Sequence, residues 1–203
     1  MTVQKRLFDF ALALLLLVPL GIVMAVVTLA LLAGQGRPVL YGAERMHAPG
    51  HPFTLWKFRT MRPATGDSGV SGGDKAARIT GPGRFLRRTR LDELPQLFNI
   101  LRGDMSFVGP RPPLRQYVEA FPALYAEVLA CRPGVTGLAT LVFHRHEERI
   151  LASCASSEDT NRVYMRRCIP RKARLDLIYR RRQSLCLDLA ILLRTLAAVA
   201  RRS

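Results

Sequence analysis

RFLRRTRLDELPQLFNILRGDMSFVGPRPP, residues 84–113, sets two adjacent carboxylates, Asp92 and Glu93, between two groups of arginines. Leu91, Leu94, Leu97, Phe98 and Leu101 recur at helical spacing, so one face of a helix would be buried here. Asp92 suits the N-cap, Glu93 suits the positive end of the helix dipole, and Pro95 falls within the first turn, where a missing N–H is tolerated. The spacing predicts a helix that begins at the acidic pair. Its free N–H groups, with Arg87, Arg88 and Arg90 just upstream, would offer a place for a phosphate. An Asp that caps a helix and a Glu in the first turn are also common where nothing binds, so the pair taken alone reads as a cap too.

Toward the N-terminus the chain carries no charge from Phe10 to Ala33. That is about 36 Å of helix, enough to cross a hydrocarbon core of about 30 Å. Pro19 lies near the middle of this run and removes one intrahelical hydrogen bond. Lys5 and Arg6 precede the run, and Arg37, Arg45 and a basic domain follow it. A spanning helix would put positive residues on both sides of the bilayer, so a re-entrant helix that returns both flanks to the cytoplasm is expected. A cleaved signal peptide fits less well: the run is too long, Asp9 interrupts the basic leader, and no small-x-small site follows.

The chain has 203 residues, with 31 Lys and Arg against 15 Asp and Glu, a net charge of +16. This length allows one modest domain, 37–203, behind an anchor at 1–36. The positive excess calls for anionic partners, and membrane lipids offer about 1 kcal/mol per basic residue near an anionic leaflet. No zinc-finger spacing, aromatic RNA-binding signature or basic zipper is present, so nucleic acid is not an expected partner. Cys131, Cys154, Cys168 and Cys186 form no close pairs, which fits a reduced compartment.

Beyond the anchor the pattern is α/β in the helix-rich, α+β sense. Residues 39–41 and 53–61 read as short strands, and alternation in the second puts Lys57 and Arg59 on one side and Trp56 and Phe58 on the other. Residues 62–77, RPATGDSGVSGGDKAA, read as a loop that is either a lid or a simple connection. Gly134 and Gly137 around Thr136 suggest a tight turn with close backbone approach. His144 and His146 beside Glu147 and Glu148 resemble metal-ligand material, but without a third clear ligand they read as a solvated helix start or loop. Leu185 to Val199 is apolar over most of its circumference, interrupted by Asp188 and Arg194, and suits an interfacial helix.

LDELPQLFNILRGDMSFVGPRP resembles the signature of the bacterial sugar transferases known as monotopic phosphoglycosyl transferases. The resemblance continues through KRLFD at 5–9, PVLY at 38–41, FTLWKFRTM at 53–61, RIT at 78–80, GRFLR at 83–87, PGVTGLA at 133–139, RLDLIY at 174–179 and SLCLDLAILLRT at 184–195. It implies a re-entrant membrane helix followed by a small cytosolic catalytic domain with interfacial amphipathic helices. It further implies transfer of a phosphosugar from a nucleotide diphosphate sugar, UDP-linked by expectation, to polyprenyl (undecaprenyl) phosphate, with release of nucleoside monophosphate.

On the same resemblance Asp92 is the nucleophile that holds a covalent phosphosugar and Glu93 is the second essential carboxylate. Mg²⁺ is the cofactor, with Asp92 as a ligand. Arg87 and Arg111 are candidates for phosphate or nucleotide contacts, joined by Lys57 and Arg59 from the strand. Pro19 marks the membrane kink, although the family breaks its helix at Ser-Pro and this chain has Val18 before Pro19. The segment from Arg145 to Arg182 departs from the shorter family pattern and is rich in Arg. The implied setting is the cytoplasmic face of the bacterial inner membrane, at the start of exopolysaccharide, O-antigen or glycoprotein glycan assembly. Whether the chain forms a homo-oligomer is not specified by the sequence. The alternative from another class is a noncatalytic basic scaffold anchored at the membrane, in which Asp92 and Glu93 only cap a helix.

Overall fold

The computed structural model describes residues 2–62 and 77–201, so 63–76, most of the loop read as a lid or a connection, lies outside the described residues. Helix α1 runs from Val3 to Gln35, capped by the Thr2 hydroxyl, with Pro19 inside one helical element and not at a junction between two. Its most apolar 18-residue window has a mean hydropathy of 2.9 and is only 17% buried. A helix in a soluble core would be mostly covered, so this one is long and apolar enough, and open enough, to meet lipid.

The covered side of α1 is a narrow stripe, Lys5, Asp9, Ala13, Met24, Val27 and Leu31, set by the three- and four-residue repeat of a helix. Both ends of the stripe are tied to the rest of the chain. At the start, Lys5 pairs with Asp188 at 2.5 Å, and Arg6 donates to the carbonyls of Ile100 and Leu101 at 2.6 and 2.8 Å. At the finish, Arg59 donates to the carbonyls of Gln35 and Gly36 at 2.7 and 2.9 Å, and the Gln35 amide returns a bond to Arg59 O at 2.7 Å. These are the orphan carbonyls that any helix C-terminus must satisfy.

Strands β1 (Leu40–Ala48) and β2 (His51–Phe58) form an antiparallel hairpin that turns at Gly50. The first strand is longer than the sequence suggests, because its backbone is paired along nearly the whole of β2. The inward residues of β2 are Leu55 and Phe58, not Trp56 with Phe58. Leu55 packs with Ala13, Leu97 and Ile100, whereas Phe58 packs with Met24, Val27, Leu31 and Leu86, so the hairpin is covered at two places and strict alternation fails.

Helix α2 (Gly81–Thr89) follows, then a 3₁₀ turn at Leu91–Glu93 and helix α3 (Gln96–Arg102). The expected helix start at Asp92 is therefore displaced: α3 begins at Gln96, with Pro95 in the cap position. The cause is Arg90, which ends α2 in the left-handed conformation at φ 60° and ψ 13° and redirects the chain before the acidic pair.

Strand β3 (Ser106–Val108) pairs in parallel with β4 (Gly134–Thr136), joined through α4 (Arg115–Ala120) and α5 (Pro122–Val128). The Gly134 to Gly137 segment is thus a strand leading into a helix and not a tight turn. The close approach is real, since a Cβ on Gly134 or Gly137 would overlap the backbone of Gly109.

Helices α6 (Leu138–Ala152), α7 (Ser157–Val163) and α8 (Ile169–Arg182) fill the divergent segment, with a π turn at Tyr164–Cys168. His144 and His146 lie within α6, not at its start. The four cysteines are free, and all but Cys186 are buried.

Helix α9 (Leu185–Ala200) exposes Leu189, Leu193 and Leu196 while burying Asp188 and Ile191. An apolar exposed face of this kind suits an interfacial helix.

Asp176 on α8 is buried, one of its oxygens accepts no hydrogen bond among the described residues, and burial pushes its carboxyl up to about 7 against the pull of Lys172. A carboxyl raised above its unfolded value destabilises the folded state once ionised, and that cost fades as pH falls toward the unfolded value near 4. Asp176→Asn is expected to raise stability by about 2–4 kcal/mol at pH 8, with a smaller gain at pH 5. Unfolding in detergent at the two pH values measures this, and an Asn variant less stable than wild type at pH 8 contradicts it.

Candidate active site

The 3₁₀ turn that carries the carboxylates is held by its neighbours on each side. Asn99 on α3 is buried, accepts from Trp56 N at 3.2 Å and donates to Thr54 O at 2.8 Å, which fixes α3 against β2. On the other side Thr80 caps α2 by accepting from Gly83 N at 3.0 Å. Gly83 lets the helix approach Thr60 closely, because a Cβ there would overlap the Thr60 carbonyl. Lys57, at the end of β2, is thereby brought to the turn between α2 and α3.

Asp92 and Glu93 are 6% and 9% exposed, yet their surroundings differ. Three cations converge on a single oxygen of Glu93: Arg111 at 2.6 Å, Lys57 at 2.9 Å and Arg90 at 3.8 Å, all to Oε1. Burial would raise the Glu93 carboxyl, but Arg111, Lys57 and Arg90 outweigh it and hold the group well below the usual carboxylate range. For Asp92 no cation lies within the 4 Å of an ion pair among the described residues. Burial raises its carboxyl, the charge of Glu93 raises it further, and Lys57, Arg87 and Arg90 only partly offset this. One acid is locked as a structural anion, and the other is left available with a higher affinity for a proton or an electrophile.

Arg111 lies between Pro110 and Pro112, and besides Glu93 it donates to Val135 O at 3.4 Å. Pairing with Glu93 raises its pKa despite burial, so it stays a permanent cation. Lys57 is pulled the other way, lowered first by burial and only partly restored by Glu93. Arg87 on α2 donates to Thr60 Oγ1 at 2.9 Å and contacts Met61 Sδ at 3.0 Å, which leaves it beside the carboxylates without pairing to either. Lys57, Arg87, Arg90 and Arg111 carry four positive charges against the two of Asp92 and Glu93. The surplus suits a polyanion such as a diphosphate.

Of the residues singled out in the sequence, Asp92, Glu93, Lys57, Arg87 and Arg111 come together. Arg59 does not join them: it closes the C-terminus of α1 and lines a recess of about 400 Å³ with Gly34, Met61, Thr80 and Pro82. Arg90 was visible only as part of the upstream basic run, and nothing in the sequence marks its left-handed backbone. His144 meets both Arg90 and Glu148, His146 meets Arg171, and Glu147 pairs with Lys172 at 3.0 Å, so these α6 side chains do not face a common point. Among the described residues no group of three or more His, Cys, Asp or Glu side chains converges on a point.

Known proteins carry the same architecture of sequence. A model of the bacterial sugar transferase family matches residues 1–202. The UDP-glucose:undecaprenyl-phosphate glucose-1-phosphate transferases of Klebsiella pneumoniae and Xanthomonas campestris pv. campestris are each 34% identical to this chain. These matches cover 95% and 97% of this chain and 39% of each relative, so the chain spans well under half the length of those proteins. The uncharacterized sugar transferase EpsL of Bacillus subtilis (strain 168) is 38% identical over 139 residues, 68% of each chain. With the match running from residue 1 through α9, and the paired acids and arginines within it, this chain belongs to the bacterial sugar transferase family.

Proposed function

We propose that this chain transfers a phosphosugar from a UDP-linked sugar to undecaprenyl phosphate, through a covalent phosphosugar on Asp92. The observation that carries this reading is the unequal treatment of the two acids: Glu93 gathers the cations, and Asp92 stands buried beside them with no ion pair of its own among the described residues. In the first step an Asp92 oxygen attacks the sugar-linked phosphorus, and the bond to the bridging oxygen breaks. Nucleoside monophosphate departs with the electron pair. In the second step a phosphate oxygen of the lipid attacks the same phosphorus, the bond to Asp92 breaks, and the carboxylate is regenerated. No proton is consumed in either displacement. Lys57, Arg87 and Arg111 would hold the phosphate oxygens and balance the charge that grows at transfer.

The side chains present fit a substrate-borne Mg²⁺, since Asp92, a buried carboxylate with no ion pair among the described residues, would offer it an oxygen. When bound, Mg²⁺ would supply charge neutralisation between an anionic nucleophile and an anionic diphosphate.

The attachment of both ends of α1 to one domain supports the re-entrant reading, because a spanning helix would carry one end to the far side of the bilayer. The exposed apolar residues of α1, with Leu189, Leu193 and Leu196 of α9, would then meet the lipid of the cytoplasmic leaflet of the inner membrane.

Purified protein in bilayer discs, given undecaprenyl phosphate and a panel of UDP-sugars with Mg²⁺, is expected to release UMP with at least one donor, and chelation with EDTA is expected to stop it. No release with any donor would remove this reading.

A further inference from the structure

Arg90 combines two features that the carboxylate chemistry does not absorb. It is the one non-glycine residue with positive φ among the described residues, and its guanidinium touches a histidine from a distant helix. Strain of this kind persists only where the surroundings hold it. Arg90 Nη2 lies 2.6 Å from Nε2 of His144, and Nη1 lies 3.8 Å from Oε1 of Glu93. The same Nε2 lies 3.2 Å from Oε1 of Glu148, one turn further along α6.

A guanidinium has only donors and a carboxylate only acceptors. Nε2 can therefore serve one of these neighbours at a time. With a lone pair on Nε2 and the proton on Nδ1, the ring accepts from Arg90. With Nε2 protonated, the ring donates to Glu148, and its N–H and positive charge both oppose Arg90.

We infer that His144 is a positioning residue whose proton decides whether Arg90 is held at the carboxylate pair or released from it. The inference rests on the transferase reading only for its effect on turnover. Neutral His144 keeps Arg90 beside Glu93 and near Asp92, and protonation weakens that hold.

Among the described residues, several charged groups on the elements beside α6 are engaged elsewhere. From α8, Arg171 meets His146 and Lys172 pairs with Glu147. From α9, Asp188 binds Lys5 and Tyr179, and Arg194 is exposed. From α7, Arg162 pairs with Asp159. His144 and Arg90 are about a quarter and a third exposed, at 26% and 33%, so the ring exchanges protons with solvent.

The test follows the ring resonances of the histidines by NMR against pH in the full-length protein, with His144 assigned from the signal lost in His144→Gln. Arg90→Gln should raise the affinity of His144 for a proton by about tenfold, and Glu148→Gln should lower it. In the UMP-release assay, wild type should show a pH-dependent step in rate that rises toward higher pH and is absent in His144→Gln. A His144 midpoint that moves in neither neighbour's variant overturns the inference, as does a step that persists without His144. Glu148 is exposed, so its variant decides the matter even should Arg90→Gln fail to fold. Absence of UMP release by wild type would count against the transferase reading, while the NMR midpoints would still decide whether His144 senses Arg90.

Discussion

Asp92→Asn is expected to lower UMP release by about 10³-fold or more, because an amide cannot form the acyl phosphate that the proposed two-step transfer requires. The substitution is nearly isosteric at a site only 6% exposed, and it removes a carboxylate already disfavoured by burial and by Glu93. Folding should therefore be unaffected or slightly favoured, which separates loss of chemistry from loss of protein. With donor labelled in the sugar phosphate and no lipid acceptor, wild type should retain label on Asp92, and the Asn variant should retain none. Because the Asp92 carboxyl is raised, the acid limb of wild-type activity should lie above the ordinary aspartate range. Turnover in the Asn variant within tenfold of wild type would rule out covalent catalysis at this residue.

Asp188→Ala is expected to destabilise the protein by about 3–5 kcal/mol, the cost of leaving a buried charge without its partner. The Asp188 carboxylate is 0% exposed, accepts from Tyr179 OH at 2.6 Å through one oxygen and pairs with Lys5 through the other. Without it, the ammonium of Lys5 at 4% exposure has nothing to neutralise it, and the start of α1 should detach from α9. Replacing both partners together, Lys5→Met with Asp188→Leu, should recover most of the loss, since apolar groups of similar size carry no such penalty. Urea unfolding in detergent, with proteolysis near residue 5, measures both. A loss below about 1 kcal/mol in Asp188→Ala would mean that water reaches the pair.

Asp188 also illustrates what the sequence could not convey. Within an apolar run it reads only as an interruption, because its partner lies 183 positions away at Lys5. Its burial is a tertiary fact with no local signature. The displaced start of α3 has a similar origin, since a left-handed arginine has no compositional mark. By contrast, α1 was legible from the absence of charge between Phe10 and Ala33, and Asp92, Glu93 and Arg111 from the continuous stretch that carries them. Period-two alternation put Lys57 with Arg59, and the structure brings only Lys57 to the carboxylates, because β2 ends at Phe58 and the chain turns toward α1. The Arg-rich character of the divergent segment was readable, but not that His144, just before it, would reach Arg90.

Attachment of α1 at both ends also bears on how the protein tolerates different membranes. A helix that crosses a bilayer must match its thickness or tilt, and is sorted accordingly. One whose start is bound at Asp188 and whose finish is bound at Arg59 takes its immersion from the folded domain instead. Under the re-entrant reading, the height of Asp92 above the headgroups is then a property of the protein and independent of acyl chain length.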